Sequence, residues 1–195
     1  MGVRMAGQQP VVFTPPTALP SGEHSVELVH LFDKMKAIKV LLFDVDGVFT
    51  DNRLHVTEQG ELLRIMHVRD GQAVKWAISK GFSVGIITSG QSEGVRKRLT
   101  ALGIEEYYAA VKDKKEVFQS ILNRLQVRAD EVCYMGDDLP DLPVLRKVGV
   151  SCAPADAVPE VLSVVDFISP LPGGHGCVRD LLERVMKVQD RWVEF

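Results

Sequence analysis

At 195 residues, 46% of them hydrophobic and 25% charged, the chain has the size and composition of one globular domain with a sizeable core. A net charge of −3 gives no basic footprint for nucleic acid or an anionic membrane surface, and no apolar run is long enough to span a bilayer. Cys133, Cys152 and Cys177 show no CxxC spacing, which argues against structural zinc and a disulfide framework and fits free thiols in a reducing cytoplasm.

The first stretch, residues 1–25, is rich in Pro, Gly, Gln, Ser and Thr and carries no useful periodicity. It reads as an extended or mobile arm without the apolar core of a secretory signal, leaving 26–195 as a single domain. Val26 to Ala37 has apolar residues at helical spacing. An apolar run, Val40 to Phe43, then stops at Asp44, Val45, Asp46 and Gly47. A short run ended in this way reads as a buried strand, and Gly47 allows a sharp turn at its end. If strand geometry persists, Asp44 and Asp46 share a face and Val45 points to the core.

Two apolar-containing runs, Arg53 to Val56 and Glu61 to Val68, flank a polar connection ending in Gly60 and predict a β-hairpin. A helix is expected from near Gly71, with Ala73, Val74, Ala77 and Ile78 as its apolar stripe and Gly81 just past its end. Val84 to Ile87 is a second strand, ending in Thr88, Ser89 and Gly90. Ser92 to Leu102 reads as a helix, and Tyr107 to Val111 as a strand. Asp113 opens a further helix with Lys114 in its first turn and Val117, Phe118, Ile121, Leu122 and Leu125 on the buried side.

Val132 to Met135 is a further strand, and it ends in acids, here Asp137 and Asp138. A short helix carrying Leu142 and Leu145 follows, then strands in VGVSCA and VVDFIS, a loop at Gly173 to Gly176, and a final helix over 177–192. Strands alternating with helices predict an α/β, Rossmann-like parallel sheet with helices on both faces. Ligands of such sheets bind beyond the carboxyl ends of the strands. Asp44 with Asp46, Thr88 with Ser89, and Asp137 with Asp138 all fall at that edge.

Two carboxylates as close as Asp44 and Asp46 repel, by about 1 kcal/mol at ~4 Å even in water. Such a pair calls for a cation, a shared proton or generous solvation, and Mg²⁺ is the hard ion that suits oxygen ligands. Taken singly, each piece has a plainer reading. The first acids could form an acidic turn, Thr88 could cap a helix, Lys114 could be a solvated lysine, and the later acids could open a helix. Together they form a constellation.

The set DVDGVFTD, a strand ending in Thr88, Lys114 at a helix start, and GDDLPD resembles the haloacid dehalogenase-like superfamily of phosphotransferases. The VRDG stretch at 68–71, and the glycine loop at 173–176 followed by Arg179, resemble its 3-deoxy-D-manno-octulosonate 8-phosphate phosphatase branch over 38–192. The resemblance implies a haloacid dehalogenase-like core without a large cap domain, and a phosphatase with an aspartate nucleophile. It implies Asp44 as the nucleophile and Asp46 as the acid and base for the leaving sugar oxygen. Thr88 would bind the phosphoryl oxygens, and Lys114 would neutralise charge. Mg²⁺ would be held by Asp44, the Asp46 carbonyl and Asp137, with Asp138 and Asp141 in support. Arg69, Asp70, Ser89 and Gly90 are candidate substrate contacts, Arg69 because a guanidinium suits a sugar-acid carboxylate, and His67 beside them could face the site.

The branch pattern further implies a cytoplasmic homotetramer serving lipopolysaccharide biosynthesis. Its active sites would lie at subunit interfaces, roofed by hairpins that are too apolar to stand alone. The chain departs from the branch in reading Thr88-Ser89-Gly90 where Thr-Gly-Arg is usual, and in having Asn52 after Asp51 where Gly is usual. The missing arginine makes a nonulosonate 9-phosphate the alternative substrate. A non-catalytic assembly domain is a further alternative, disfavoured by the intact Asp44, Asp46, Thr88, Lys114 and Asp137.

Overall fold

The computed structural model describes residues 23–192. The arm expected over 1–25 therefore lies, as far as residue 22, outside the described residues. Its last three residues belong instead to the first helix, α1, which runs Glu23–Ala37.

Six parallel strands form the central sheet: β1 (Val40–Phe43), β4 (Ser83–Ile87), β5 (Glu106–Tyr108), β6 (Val132–Met135), β7 (Val150–Ala153) and β8 (Phe167–Ile168), in the order β5-β4-β1-β6-β7-β8. The chain starts the sheet at β1, builds outward through β4 and β5, then returns to the other side of β1 with β6. The reversal leaves a crevice at the carboxyl end of β1, flanked by the ends of β4 and β6. The registers Phe43↔Ile86 and Phe43↔Met135 bring Asp44 level with the residues that follow both neighbours.

Strand alternation divides the core. Leu41, Phe43, Val84, Ile86, Cys133 and Met135 face one way and pack with Val74, Val178, Leu181 and Val185 of α2 (Val68–Ser79) and α7 (Cys177–Val188). Val40, Leu42, Ile87, Val132 and Tyr134 face the other way, against Phe118, Ile121 and Leu122 of α4 (Lys114–Leu125) and Val144 and Leu145 of α5 (Leu142–Leu145). Both faces of the sheet are therefore covered, as continuous apolar strands require. The cysteines are free and buried.

Several boundaries move. Helix α2 begins at Val68, three residues before Gly71, because His67 already has the extended backbone of a helix-preceding residue. Strand β5 stops at Tyr108, and Ala110 turns with φ 54°. Helix α3 is Glu93–Thr100, shorter than expected, with Ser92 accepting from the Val95 N–H as its cap. The hairpin is reduced to β2 (His55–Val56) and β3 (Leu62–Leu63). Its apolar side chains remain in solvent, Val56 and Ile65 each 67% exposed. Helix α6 spans Pro159–Leu162.

The packing of α2 on α7 closes the first core layer. Leu181→Ala, at a fully buried position, should lower unfolding free energy by about 2–5 kcal/mol in denaturant titration.

Candidate active site

Strand β1 ends in a turn over residues 45–50 whose backbone N–H groups at 48, 49 and 50 all return to the Val45 carbonyl. Val45 is buried while Asp44 and Asp46 reach the crevice, as the alternation requires. Gly47 turns with φ 81°, and a Cβ there would stand 2.0 Å from Asp137 Oδ2, so the backbone passes directly against that carboxylate. From behind, the loop at 173–176 supports the turn. A Cβ on Gly173 would meet the Gly47 carbonyl oxygen at 2.0 Å. The Gly174 N–H donates to the Val48 carbonyl at 2.9 Å.

The expected repulsion between acids is met by two cations, one on each carboxylate. Lys114 Nζ donates to Asp44 Oδ2 and to Asp141 Oδ1, each at 2.7 Å. The lysine is buried at the first turn of α4, placed there by Asp113, which caps the helix by accepting from the Lys115 and Glu116 N–H groups. Burial pulls the Lys114 ammonium down, but Asp141 and Asp44 outweigh it and hold its pKa above the usual value. Asp46 is held by Arg64, whose Nε and Nη2 donate to Oδ1 and Oδ2 at 2.6 and 3.0 Å. Arg64 belongs to the hairpin, and its side chain is 6% exposed although the hairpin is otherwise open to solvent.

Carboxylate oxygens of Asp44, Asp137 and Asp141 lie within 4.8 Å of one another. The Asp137 N–H and Asp138 N–H donate to Asp141 Oδ2 at 3.0 and 3.2 Å, and the Tyr134 hydroxyl donates to Asp141 Oδ1. Asn52 Nδ2 donates to Asp137 Oδ2 at 3.1 Å. The other oxygen, Asp137 Oδ1, is buried with no hydrogen-bond partner among the described residues. An orphaned buried carboxylate oxygen beside two more acids is the donor set of a hard divalent cation.

The unusual Asn52 is explained by its φ of 63°, a left-handed conformation that Asn tolerates better than other non-glycine residues, and by the amide it offers to Asp137. Thr88 closes the crevice at the end of β4. Its hydroxyl accepts from the Gly90 N–H at 3.2 Å and keeps its own hydrogen free to donate.

Other expected contacts are placed elsewhere. The Asp138 carboxylate is turned away to accept from the Leu139 N–H at 2.7 Å, so Asp141 takes its place among the clustered acids. Asp46 brings no carboxylate oxygen to the cluster. Asp70 is fully buried and accepts from the Arg179 N–H at 2.8 Å, tying α2 to α7 rather than facing the crevice; burial raises its pKa. Arg69 and His67 line a separate open depression of about 430 Å³ with His175 and Arg179. Ser89 is exposed, and Gly90 lies beside Asp46 and Arg64.

Sequence reasoning missed two participants. Tyr134 reads as an ordinary core residue of β6. Arg64 shares the parity of the partly buried Met66, which is the one local signal that it turns inward.

A family model for haloacid dehalogenase-like hydrolases matches residues 54–149, a span that holds Thr88, Lys114, Asp137 and Asp141 and begins after Asp44. Over 162 residues the chain is 35% identical to the 3-deoxy-D-manno-octulosonate 8-phosphate phosphatase KdsC of Salmonella typhi, covering 83% of this chain and 86% of that one. It is similar to the structure of a haloacid dehalogenase superfamily (subfamily III A) hydrolase from Legionella pneumophila, with a TM-score of 0.84, 39% identity, and coverage of 86% and 92%. It is also similar to the 3-deoxy-D-manno-octulosonate 8-phosphate phosphatase of Moraxella catarrhalis, solved with magnesium, phosphate and KDO, with a TM-score of 0.80, 29% identity, and coverage of 82% and 92%.

Crowding of the acids sets a pH dependence. Burial first, and repulsion from Asp141 second, push Asp44 up to about 6 and Asp137 up to about 8, from 3.8. Between those values the folded chain holds protons that the unfolded chain has released. Stability without metal should therefore fall as pH rises from about 4 to about 8. A divalent cation binds the deprotonated carboxylates, so its stabilisation should grow across the same window. Thermal melts with chelator and with Mg²⁺ would test this. A Mg²⁺ gain that is absent, or equal at acidic and neutral pH, would remove the acid cluster as the metal site.

Proposed function

Since the chain belongs to the haloacid dehalogenase-like hydrolases, among the relatives of the 3-deoxy-D-manno-octulosonate 8-phosphate phosphatases, we propose that it is a Mg²⁺-dependent phosphatase of a phosphorylated acidic sugar. The substrate proposed first is 3-deoxy-D-manno-octulosonate 8-phosphate. One observation carries the reading: a buried lysine bridges Asp44 and Asp141 at 2.7 Å beside the orphaned oxygen of Asp137. This arrangement neutralises a phosphoryl group arriving among acids.

In this reading an Asp44 oxygen attacks phosphorus, and the sugar oxygen leaves as the aspartyl-phosphate forms. With its carboxyl at about 6, Asp44 is mostly ionised at neutral pH, and Lys114 is the group that favours that state against burial. Asp46 gives a proton to the leaving sugar oxygen and takes one from the water that cleaves the intermediate. Thr88 donates its hydroxyl to a phosphoryl oxygen. Asp44, Asp137 and the backbone at Asp46 would hold Mg²⁺, with Asp141 beside them, and the ion supplies charge neutralisation at the phosphoryl oxygens. Glycine stands at position 90 where the branch usually has arginine, which keeps a nonulosonate 9-phosphate as a second substrate to compare.

Phosphate release from both sugar phosphates would test the reading. Asp44→Asn should abolish turnover, Asp46→Asn should lower it by about 10²–10⁴, and excess chelator should stop it. An acyl-phosphate trapped on any residue but Asp44, or full turnover in chelator, would overturn the assignment.

The assembly belongs to the same proposal. Val56, Leu62, Leu63, Ile65 and Val68 form an exposed apolar group around the hairpin, and a homotetramer that packs hairpins together would bury it. Light scattering with gel filtration should report a tetramer for the parent protein and smaller species for Ile65→Asp. Ile65→Asp should also lose activity on the sugar phosphate and retain it on a small phosphate ester. A fully active monomeric parent would end the shared-site idea.

A further inference from the structure

Arg64 reaches from the hairpin into the crevice, while its Nη1 donates to the Leu62 carbonyl of the hairpin at 3.4 Å. Its side chain is only 6% exposed, on a hairpin most of whose neighbouring residues are in solvent. Both hydrogen bonds of its fork are spent on Asp46. The point where a Cβ of residue 90 would sit lies 2.8 Å from Asp46 Oδ2, 3.4 Å from Arg64 Nη2 and 3.5 Å from Thr88 Oγ1. Three polar groups therefore converge on one spot, which Gly90 leaves bare. The gap bounded by Asp46, Arg64, Thr88, Gly90, Ser92 and Tyr107 is about 10 Å³, room for about one water and too little for a phosphate ester. A larger group needs Arg64 or another side chain of the lining to move.

The Asp46 carboxylate occupies the two-point fork that a phosphoryl group would also use. We propose that Arg64 is a substrate-binding residue that exchanges partners, leaving Asp46 for the oxygens of the incoming phosphate ester. The exchange couples substrate arrival to release of the Asp46 carboxyl. A dianionic phosphoryl group offers the guanidinium the same two-point geometry that Asp46 offers it in the free enzyme. The inference rests on the phosphatase reading for the role of Asp46. It adds a residue that the sequence does not single out, and it makes the hairpin part of the binding site within one chain.

The test uses the full chain with Mg²⁺, steady-state kinetics on a sugar phosphate and on p-nitrophenyl phosphate, and calorimetry with inorganic phosphate. Arg64→Ala should lower kcat/KM by about tenfold to a hundredfold on both esters, mainly through KM, and weaken phosphate binding by a similar factor. Added guanidinium ion should restore part of the loss. Arg64→Lys, which keeps the charge and loses the fork, should fall between parent and Arg64→Ala. Gly90→Ala fills the shared point, against Asp46 and Arg64, while leaving Arg64 itself unchanged, so it should raise KM even if an Arg64 variant proves unstable.

Parent-like KM and phosphate affinity in both Arg64→Ala and Gly90→Ala would overturn the proposal and leave Arg64 as a strut. A parent that binds phosphate through Arg64 yet cleaves no ester would overturn the phosphatase reading while supporting Arg64. A parent that neither binds phosphate nor cleaves esters would overturn both.

Discussion

The structure depends on one buried cation. Lys114 sits between Asp44 and Asp141, and without it the carboxyl ends of β1 and β6 would bring uncompensated negative charge into a site closed to solvent. Desolvating an ammonium and two carboxylates costs several kcal/mol per ion, and their attraction offsets that only with good geometry and further hydrogen bonds. Both conditions are met. The lysine contacts are short, and Asp141 is also satisfied by the Tyr134 hydroxyl and by the N–H groups of Asp137 and Asp138. Asp141 is thus an organiser: it fixes the loop after β6, holds the lysine, and adds the charge that keeps Asp137 reluctant to ionise alone.

Close backbone approach is the second constraint, and it explains why a glycine loop distant in sequence serves the first strand. Gly173 lies against the carbonyl of Gly47, and Gly47 lies against Asp137, so side chains at these positions would separate the layers that bring the acids together. The same crowding gives Asn52 its place. The backbone there must turn left-handed, and the amide that comes with Asn satisfies one oxygen of Asp137 while the other stays available.

The hairpin has a double character. Its apolar residues face solvent in the single chain, yet Arg64 from the same segment reaches the centre of the site. A two-stranded ribbon of this length is marginal by itself, and the Arg64–Asp46 ion pair and the packing of Met66 on the core tie it to its own chain.

The sequence by itself determined the strands and the edge at which chemistry could occur. Apolar runs ending at Asp44, Thr88 and Asp137 are local signals, because the period of a buried strand and the polar residue that stops it are adjacent in the chain. Strands β1 and β6 fall where the pattern puts them, Asp113 caps α4 as its position suggests, and Lys114 follows from that cap.

Only the tertiary structure decided which acids face one another. Asp138 and Asp141 are both acids after one strand, and their roles were separated by a turn that points one carboxylate at the Leu139 N–H and the other at Lys114. Asp70 was removed from the crevice by the packing of α2 on α7, which no local pattern records. Arg64 was brought in by the fold of a hairpin in which its shared parity with Met66 is the one local hint of burial. In each case a side chain's partner lies far along the chain, and its energy comes from desolvation and paired charge, terms set by neighbours in space rather than by neighbours in sequence.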